Sequence, residues 1–193
     1  SCKAYDLAAA VEALRMVVGA DTHIVPLLNG MKHLDDLDAA FGADTVVGGT
    51  CHISVTRDAE GIIRHFSPAH FALTQGPRSL AQKPFASSLQ TELARGGFDA
   101  RLSDDILQVM WDKWVMLATM ASMTCLMRAN LGEICRTTYG ADVVAATFEE
   151  CCTVAEHCGH SIGHDVRMRS EALLIDRTST LAASMPMASS RCW

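Results

Sequence analysis

The stretch Met110-Trp111-Asp112-Lys113-Trp114-Val115-Met116-Leu117-Ala118 sets an ammonium group among two tryptophans, two methionines and a leucine, and Lys113 is one of only four lysines in the chain. Apolar surroundings desolvate a lysine, disfavour its charged form and lower its pKa toward neutrality, which is the tuning a general acid needs at physiological pH. The alternative is a surface lysine on the polar side of an amphipathic helix, with Asp112 merely its neighbour. Asn29-Gly30, closing the apolar run 22–28, is a second candidate. Ligands of open α/β sheets sit beyond the carboxyl ends of strands, where an asparagine amide donates and accepts toward a ribose or amide. An ordinary turn is the alternative, because both residues tolerate positive φ. Lys3, just before a helix, is a third candidate: it contacts phosphate or ribose, or it is simply solvated.

Other residues carry less. His52 lies within the apolar run 46–55 and reads as a satisfied core histidine. His157, His160 and His164 are crowded, but no H-E-x-x-H pattern accompanies them, and no metal is expected. The Met-rich stretch 110–127 reads as adaptable core.

The elements that must position these groups follow from periodicity. Leu7, Val11, Leu14 and Val18 predict a helix over 6–18 with Asp6 as its cap. The run 22–28 suits a buried strand ending in a turn, and 33–40 a short helix. Residues 46–55 read as a strand, 57–61 as a turn, and 62–66 with 71–74 as an antiparallel pair around Ser67-Pro68. A helix over 85–95 leads to a short edge strand at 98–102. Ser103-Asp104-Asp105 is a helix start, with acids where the helix dipole favours them. From there to Ser184 the pattern is helical, with breaks near Gly132, Gly140 and 159–163. An α/β part, 1–103, therefore precedes an all-α part, 104–193.

Composition bounds the function classes. With 193 residues, 49% hydrophobic and 20% charged, the chain is globular. A net charge of −6 argues against a nucleic-acid partner, which calls for a basic stripe. No apolar run approaches a membrane span, and no tripartite leader opens the chain. Of eight cysteines, most sit in apolar helical stretches (Cys125, Cys135, Cys151, Cys152, Cys158), so a reducing cytoplasm is expected rather than a disulfide scaffold. No C-x-x-C occurs, and adjacent Cys151 and Cys152 do not readily serve one tetrahedral ion. Ser1 in place of Met, and the abrupt end of periodicity at Pro186, read as cuts; a fragment is the expectation.

Several motifs then fit one family. Lys3-Ala4-Tyr5-Asp6, Leu27-Leu28-Asn29-Gly30-Met31, Gly49-Thr50-Cys51-His52, Ser103-Asp104-Asp105-Ile106 with Trp111-Asp112-Lys113, and Gly132-Glu133-Ile134 occur in the order and approximate spacing of ketopantoate reductases (2-dehydropantoate 2-reductases). The chain resembles that family from residue 2 to about 185. The resemblance implies that 1–103 is the second half of a Rossmann-type NADPH-binding domain. It implies that 104–193 is a truncated helical domain of the 6-phosphogluconate dehydrogenase C-terminal-like kind, with the active site in a cleft between the domains. The implied reaction is reduction of 2-dehydropantoate to pantoate in pantothenate and coenzyme A synthesis. Lys113 is then the general acid and a substrate contact, Lys3 and Asn29 contact NADPH, the backbone near Ser54 lies against the cofactor, and Ser184 holds the substrate carboxylate. The implied partner is a small 2-keto acid, with neither nucleic acid nor membrane, and with a homodimer among the assemblies left open.

Two departures qualify that picture. None of the thirteen glycines forms the G-x-G-x-x-G loop, which seats a pyrophosphate on a helix N-terminus. Leu117 and Ala121 stand where many members carry substrate-binding asparagines. A different branched 2-keto acid is one alternative; a non-catalytic helical dimerisation module with exposed Met-rich faces is another.

Overall fold

A computed structural model describes residues 2–53, 55–65 and 72–183. The chain divides into two compact units, Ser1–Met110 and Trp111–Trp193.

The first unit opens with a 3-10 turn, Ala4–Asp6, that runs directly into α1, Leu7–Leu14. Because that turn already supplies helical backbone, Asp6 sits at φ −96°, ψ −1° and its side chain caps nothing, contrary to expectation. The helix also stops short of Val18, leaving Met16 and Val17 exposed. The predicted strand over 22–28 is reduced to one parallel bridge, Ile24 with Val46. In it the Ile24 N–H donates to Thr45 O (2.8 Å) and the Val47 N–H to Ile24 O (2.9 Å). Two residues on, Pro26 has no N–H to donate, so the ladder cannot extend. Helix α2, Lys32–Phe41, forms as its spacing predicts and buries His33, Leu34 and Leu37.

The sheet has the order β1-β4-β5: β1 (Gly48–His52) pairs antiparallel with β4 (Ala72–Gly76), and β4 pairs parallel with β5 (Asp99–Leu102). The parallel step needs a crossover, and α3, Lys83–Leu93, makes it. The expected pairing of 62–66 with 71–74 is not what forms. Instead β2 (Val55–Arg57) and β3 (Ile63–His65) make a separate hairpin, and β4 belongs to β1. Asp58 explains the hairpin. Its carboxylate accepts the Ile62 N–H (2.8 Å) and the Arg64 Nε–H (2.8 Å), closing a short turn whose entropy cost is small. Strand β4, buried from Leu73 to Gly76, takes the equally buried start of β1 as its partner.

A polar network braces this unit. Arg78 donates bidentately to Asp38 (2.7 and 2.6 Å) and also to Val46 O (3.1 Å). Fully buried Gln82 accepts the Arg78 N–H (2.7 Å) and directs its amide at the carbonyls of Ala43, Asp44 and Val46 (2.9, 3.1 and 2.8 Å). The apolar core beside it comprises Val11, Leu34, Leu37, Val46, Ile106 and Met110.

Helix α4, Ile106–Met127, starts in the first unit and continues into the second. Its start behaves as the sequence indicates: Asp105 Oδ1 accepts the Gln108 N–H and Ser103 Oγ the Asp105 N–H. The second unit adds α5 (Leu131–Cys135), α6 (Gly140–His157) and α7 (His164–Leu174). The break expected at Gly132 falls earlier, at Arg128–Asn130: Arg128 has φ +52°, and Asn130 forms a reciprocal capping box with Glu133. Helical structure ends at Leu174, well before Ser184, and 176–183 continue without a helix. Val115, Met123, Leu131, Val144, Phe148 and Leu174 are central to this unit's core. Among the described residues, the seven cysteines are free thiols and no helix is long and apolar enough to cross a membrane.

Two expectations follow. Asp38→Ala strands a mostly buried guanidinium and should cost about 2 kcal/mol, between the values for exposed and fully buried pairs. Glu92→Ala, which breaks an exposed pair with Arg95, should cost under ~0.5 kcal/mol; urea unfolding of both variants checks the contrast. Burial lowers the pKa of His33, Arg78 lowers it further, and Asp36 and Asp35 only partly oppose them. On acidification the unfolded chain therefore binds this proton before the folded one. Stability should be full above about pH 6.5, the ordinary histidine value, and fall as pH drops toward the depressed folded-state pKa. His33→Asn should flatten that slope in unfolding curves taken across pH 5 to 7.

Candidate functional site

In the first unit the structure brings two of the proposed cofactor contacts to one place. Lys3 is exposed and extended (φ −80°, ψ 155°). Asn29 is exposed at the end of the segment that bridges β1's approach, followed by Gly30 at φ +82°, where a side chain would be strained. Both residues line a cleft of about 520 Å³, whose walls are Cys2, Ala4, Leu27 and Leu28. Residues 26 apart in sequence, one carrying an ammonium and one an amide, thus line a common space together with Leu27 and Leu28. That set of groups suits a polar ligand carrying ribose hydroxyls or phosphate. Ser54, the third proposed cofactor contact, lies outside the described residues.

In the second unit Lys113 is half-buried on α4, as are Leu117 and Ala121. At i+4 and i+8 these two share Lys113's side of the helix. The tryptophans flanking Lys113 in sequence pack edge-on to each other, with ring centres 5.2 Å apart, and Trp111 also stacks on His160 at 5.5 Å. Ser184 lies outside the described residues; the last described position before it, Ala183, donates its N–H to Thr124 Oγ1 (3.0 Å).

The histidines sort differently from expectation in one case. His52 is exposed at the end of β1 and is not a core residue, because it follows the point where the buried stretch of that strand ends. His157 contacts Thr153 O through Nδ1 (2.8 Å), His160 stacks on Trp111, and His164 is the first residue of α7. Among the described residues, no group of three or more His, Cys, Asp or Glu side chains is arranged to hold a metal. The methionines of α4 behave as core where they are buried, at Met110 and Met123.

The contact of Thr124 with Ala183, 59 positions away, has no signal in the sequence. The mid-helix position of Thr124 offers no motif, and only its spacing of eleven residues from Lys113 placed it on the same helical side.

The chain is similar to known proteins along most of its length. The model for ketopantoate reductase PanE/ApbA matches residues 1–78, and that for the ketopantoate reductase PanE/ApbA C terminal matches 105–190. The uncharacterized oxidoreductase YkpB of Bacillus subtilis is 30% identical over 155 residues, 79% of this chain and 50% of that protein. A 2-dehydropantoate 2-reductase of Mesorhizobium japonicum is 26% identical over 131 residues, 58% of this chain and 40% of that one. The chain thus spans about half the length of the curated relatives it matches. Among solved structures, 2-dehydropantoate 2-reductase from Geobacter metallireducens superposes with a TM-score of 0.81 at 20% identity, covering 91% of this chain and 58% of that one. D-mandelate dehydrogenase in complex with NADH gives 0.79 at 20% identity, covering 92% and 59%. With its α/β part followed by an all-α part, and with both halves matching in the family's order, the chain belongs to the ketopantoate reductase PanE/ApbA family.

Proposed function

We propose that this chain serves an NADPH-dependent reduction of 2-dehydropantoate to pantoate, with Lys113 as the general acid. The observation that carries the reading is the half-buried Lys113 on α4, within the part matched by the family's C-terminal model. The names of relatives add support: one is a 2-dehydropantoate 2-reductase, and the D-mandelate dehydrogenase neighbour holds NADH. The second name carries a nicotinamide cofactor, and NADPH is the finer proposal within that class.

Reducing a 2-keto acid adds a hydride to the carbonyl carbon and a proton to its oxygen. A nicotinamide cofactor supplies the hydride when bound. The chain's own residues then have three tasks. Lys113 Nζ gives its proton to the carbonyl oxygen and regains one from solvent. Lys3 and Asn29, sharing one cleft, hold ribose or phosphate groups by charge-assisted and neutral hydrogen bonds. Ser184 holds the substrate carboxylate, and the backbone near Ser54 lies against the cofactor. The setting proposed is the cytoplasm, the partner a small 2-keto acid.

Leu117 and Ala121 favour a second reading. Side chains without polar atoms at i+4 and i+8 from the acid suit a substrate with a branched apolar substituent, so another branched 2-keto acid is the competing substrate.

Kinetics on a chain of the relatives' full length distinguish these. Lys113→Ala should lower turnover by about 10²–10⁴-fold with NADPH affinity nearly unchanged; normal turnover would remove Lys113 from the mechanism. Replacing Leu117 and Ala121 together by Asn should raise kcat/KM for 2-dehydropantoate if that is the substrate and the site merely lacks polar anchors. A double variant that loses activity on a branched apolar 2-keto acid, without gaining any on 2-dehydropantoate, would establish the second reading.

A further inference from the structure

The chain contains two asparagines, Asn29 and Asn130, and the structure places them in opposite circumstances. An asparagine amide is lost from within a chain when the backbone nitrogen of the next residue attacks its Cγ. The attack needs a nitrogen that no side chain shields and no hydrogen bond holds. At Asn130 both reacting groups are held. Its Oδ1 accepts the Glu133 N–H (2.9 Å) in the capping box, and the next nitrogen belongs to fully buried Leu131, whose N–H donates to Leu181 O (2.9 Å). The nitrogen after Asn29 is placed differently. It belongs to Gly30, which has no side chain, and its N–H donates to no partner among the described residues. Asn29 is exposed, and Gly30 sits at φ +82° with nothing within 4 Å of where a Cβ would stand. Between the bridge at Ile24 and the start of α2 at Lys32 the backbone belongs to no helix or strand, so no ladder holds Gly30 N away from Asn29 Cγ.

We propose that Asn29 is a self-modification site, at which attack by Gly30 N turns an amide of the cleft into a carboxylate. The bond from Gly30 N to Asn29 Cγ forms and the Cγ–Nδ2 bond breaks. The departing nitrogen takes the Gly30 amide proton and leaves as ammonia. Water then opens the resulting five-membered imide at either carbonyl carbon. Opening at Cγ gives aspartate; opening at the backbone carbonyl gives isoaspartate, with the chain running through the side chain. Solvent water is the co-reactant, and nothing is oxidised or reduced.

Either product puts a negative charge into the cleft that Asn29 and Lys3 both line. An amide donates and accepts, whereas a carboxylate only accepts; it attracts the Lys3 ammonium and repels phosphate. The modified cleft should therefore bind a phosphate-bearing ligand less well. That consequence rests on the reading of Lys3 and Asn29 given above, and the chemistry at Asn29 does not.

The test has two arms. The first follows the 193-residue chain in mildly alkaline buffer made with heavy-oxygen water. Peptide mapping by mass spectrometry should find heavy oxygen at residue 29, as isoaspartate as well as aspartate, with Asn130 intact. The rate should lie within about ten-fold of that of a synthetic peptide spanning 26–33, because an exposed segment without a ladder opens at little cost. A rate below that range, equal reaction at Asn130, or aspartate without isoaspartate (the product of direct hydrolysis) would overturn the site. The second arm reads the consequence on a chain of the relatives' full length. Asn29→Asp, which carries the product's charge, should raise KM for NADPH about ten-fold, the effect of losing one hydrogen bond to a charged group. Asn29→Ser, which removes the amide without adding charge, should raise it less, and high salt should narrow the gap between the two. Equal KM values in the two variants would overturn the electrostatic consequence. An unmutated enzyme that uses no nicotinamide cofactor would instead overturn the proposed function, and the consequence with it, while the mass measurement would still decide the modification.

Discussion

The first unit depends on one buried amide. Between α2 and β1 the chain crosses Ala43, Asp44 and Val46 without a ladder to satisfy their carbonyls, and Gln82 reaches in to bond all three. Val46 is the buried one of the three, and a buried carbonyl without a donor costs about 1–3 kcal/mol; Gln82 and Arg78 both donate to it, so together they stabilise this irregular stretch. Gln82 is in turn held by the Arg78 N–H, and Arg78 by Asp38 at the other end of the same stretch. Consequences run outward from there. Val46, fixed by both Arg78 and Gln82, carries the bridge to Ile24, and five residues after Ile24 the chain delivers Asn29 to the cleft that Lys3 shares. The candidate cofactor contacts are thus positioned by residues that have no part in chemistry.

The second unit solves a related problem with main chain alone. A five-residue helix such as α5 has more unsatisfied end groups than internal bonds. Its first turn is completed by the Asn130–Glu133 capping box and by the carbonyls of Ser179 and Leu181. Residues 179–181 are thereby a structural part of the helix they cross, although the sequence pattern there reads as helical.

Much of this was legible from residue types. Lys113 in its Trp- and Met-rich helix, the helix start at Ser103-Asp104-Asp105, α2, α3 and the edge strand β5 all follow from local pattern, because each is decided within one or two turns or a few alternations. The errors were of another kind. The hairpin pairing was misread because a turn closed by Asp58, and the buried face of β4, choose partners by contacts that no periodicity records. The strand over 22–28 has strand-like residues, but Pro26 and the single neighbour at Val46 leave it one bridge. His52 looked buried because its neighbours in sequence are apolar, yet β1 emerges from the core just before it.

The amino-acid sequence by itself determined the family, through short motifs in a fixed order, and the two-part architecture, through a change from mixed to purely helical periodicity near residue 103. It also supplied the candidate acid, since a lysine between tryptophans is a local fact. Tertiary structure decided what depends on residues far apart in the chain. It placed Lys3 and Asn29 on one cleft, set the strand partners, turned Gln82 toward three carbonyls, and brought Ala183 to Thr124 across 59 positions. Such contacts form because buried polar groups must find partners wherever the packed chain offers them, and a partner that is near only in the folded state leaves no trace in local composition.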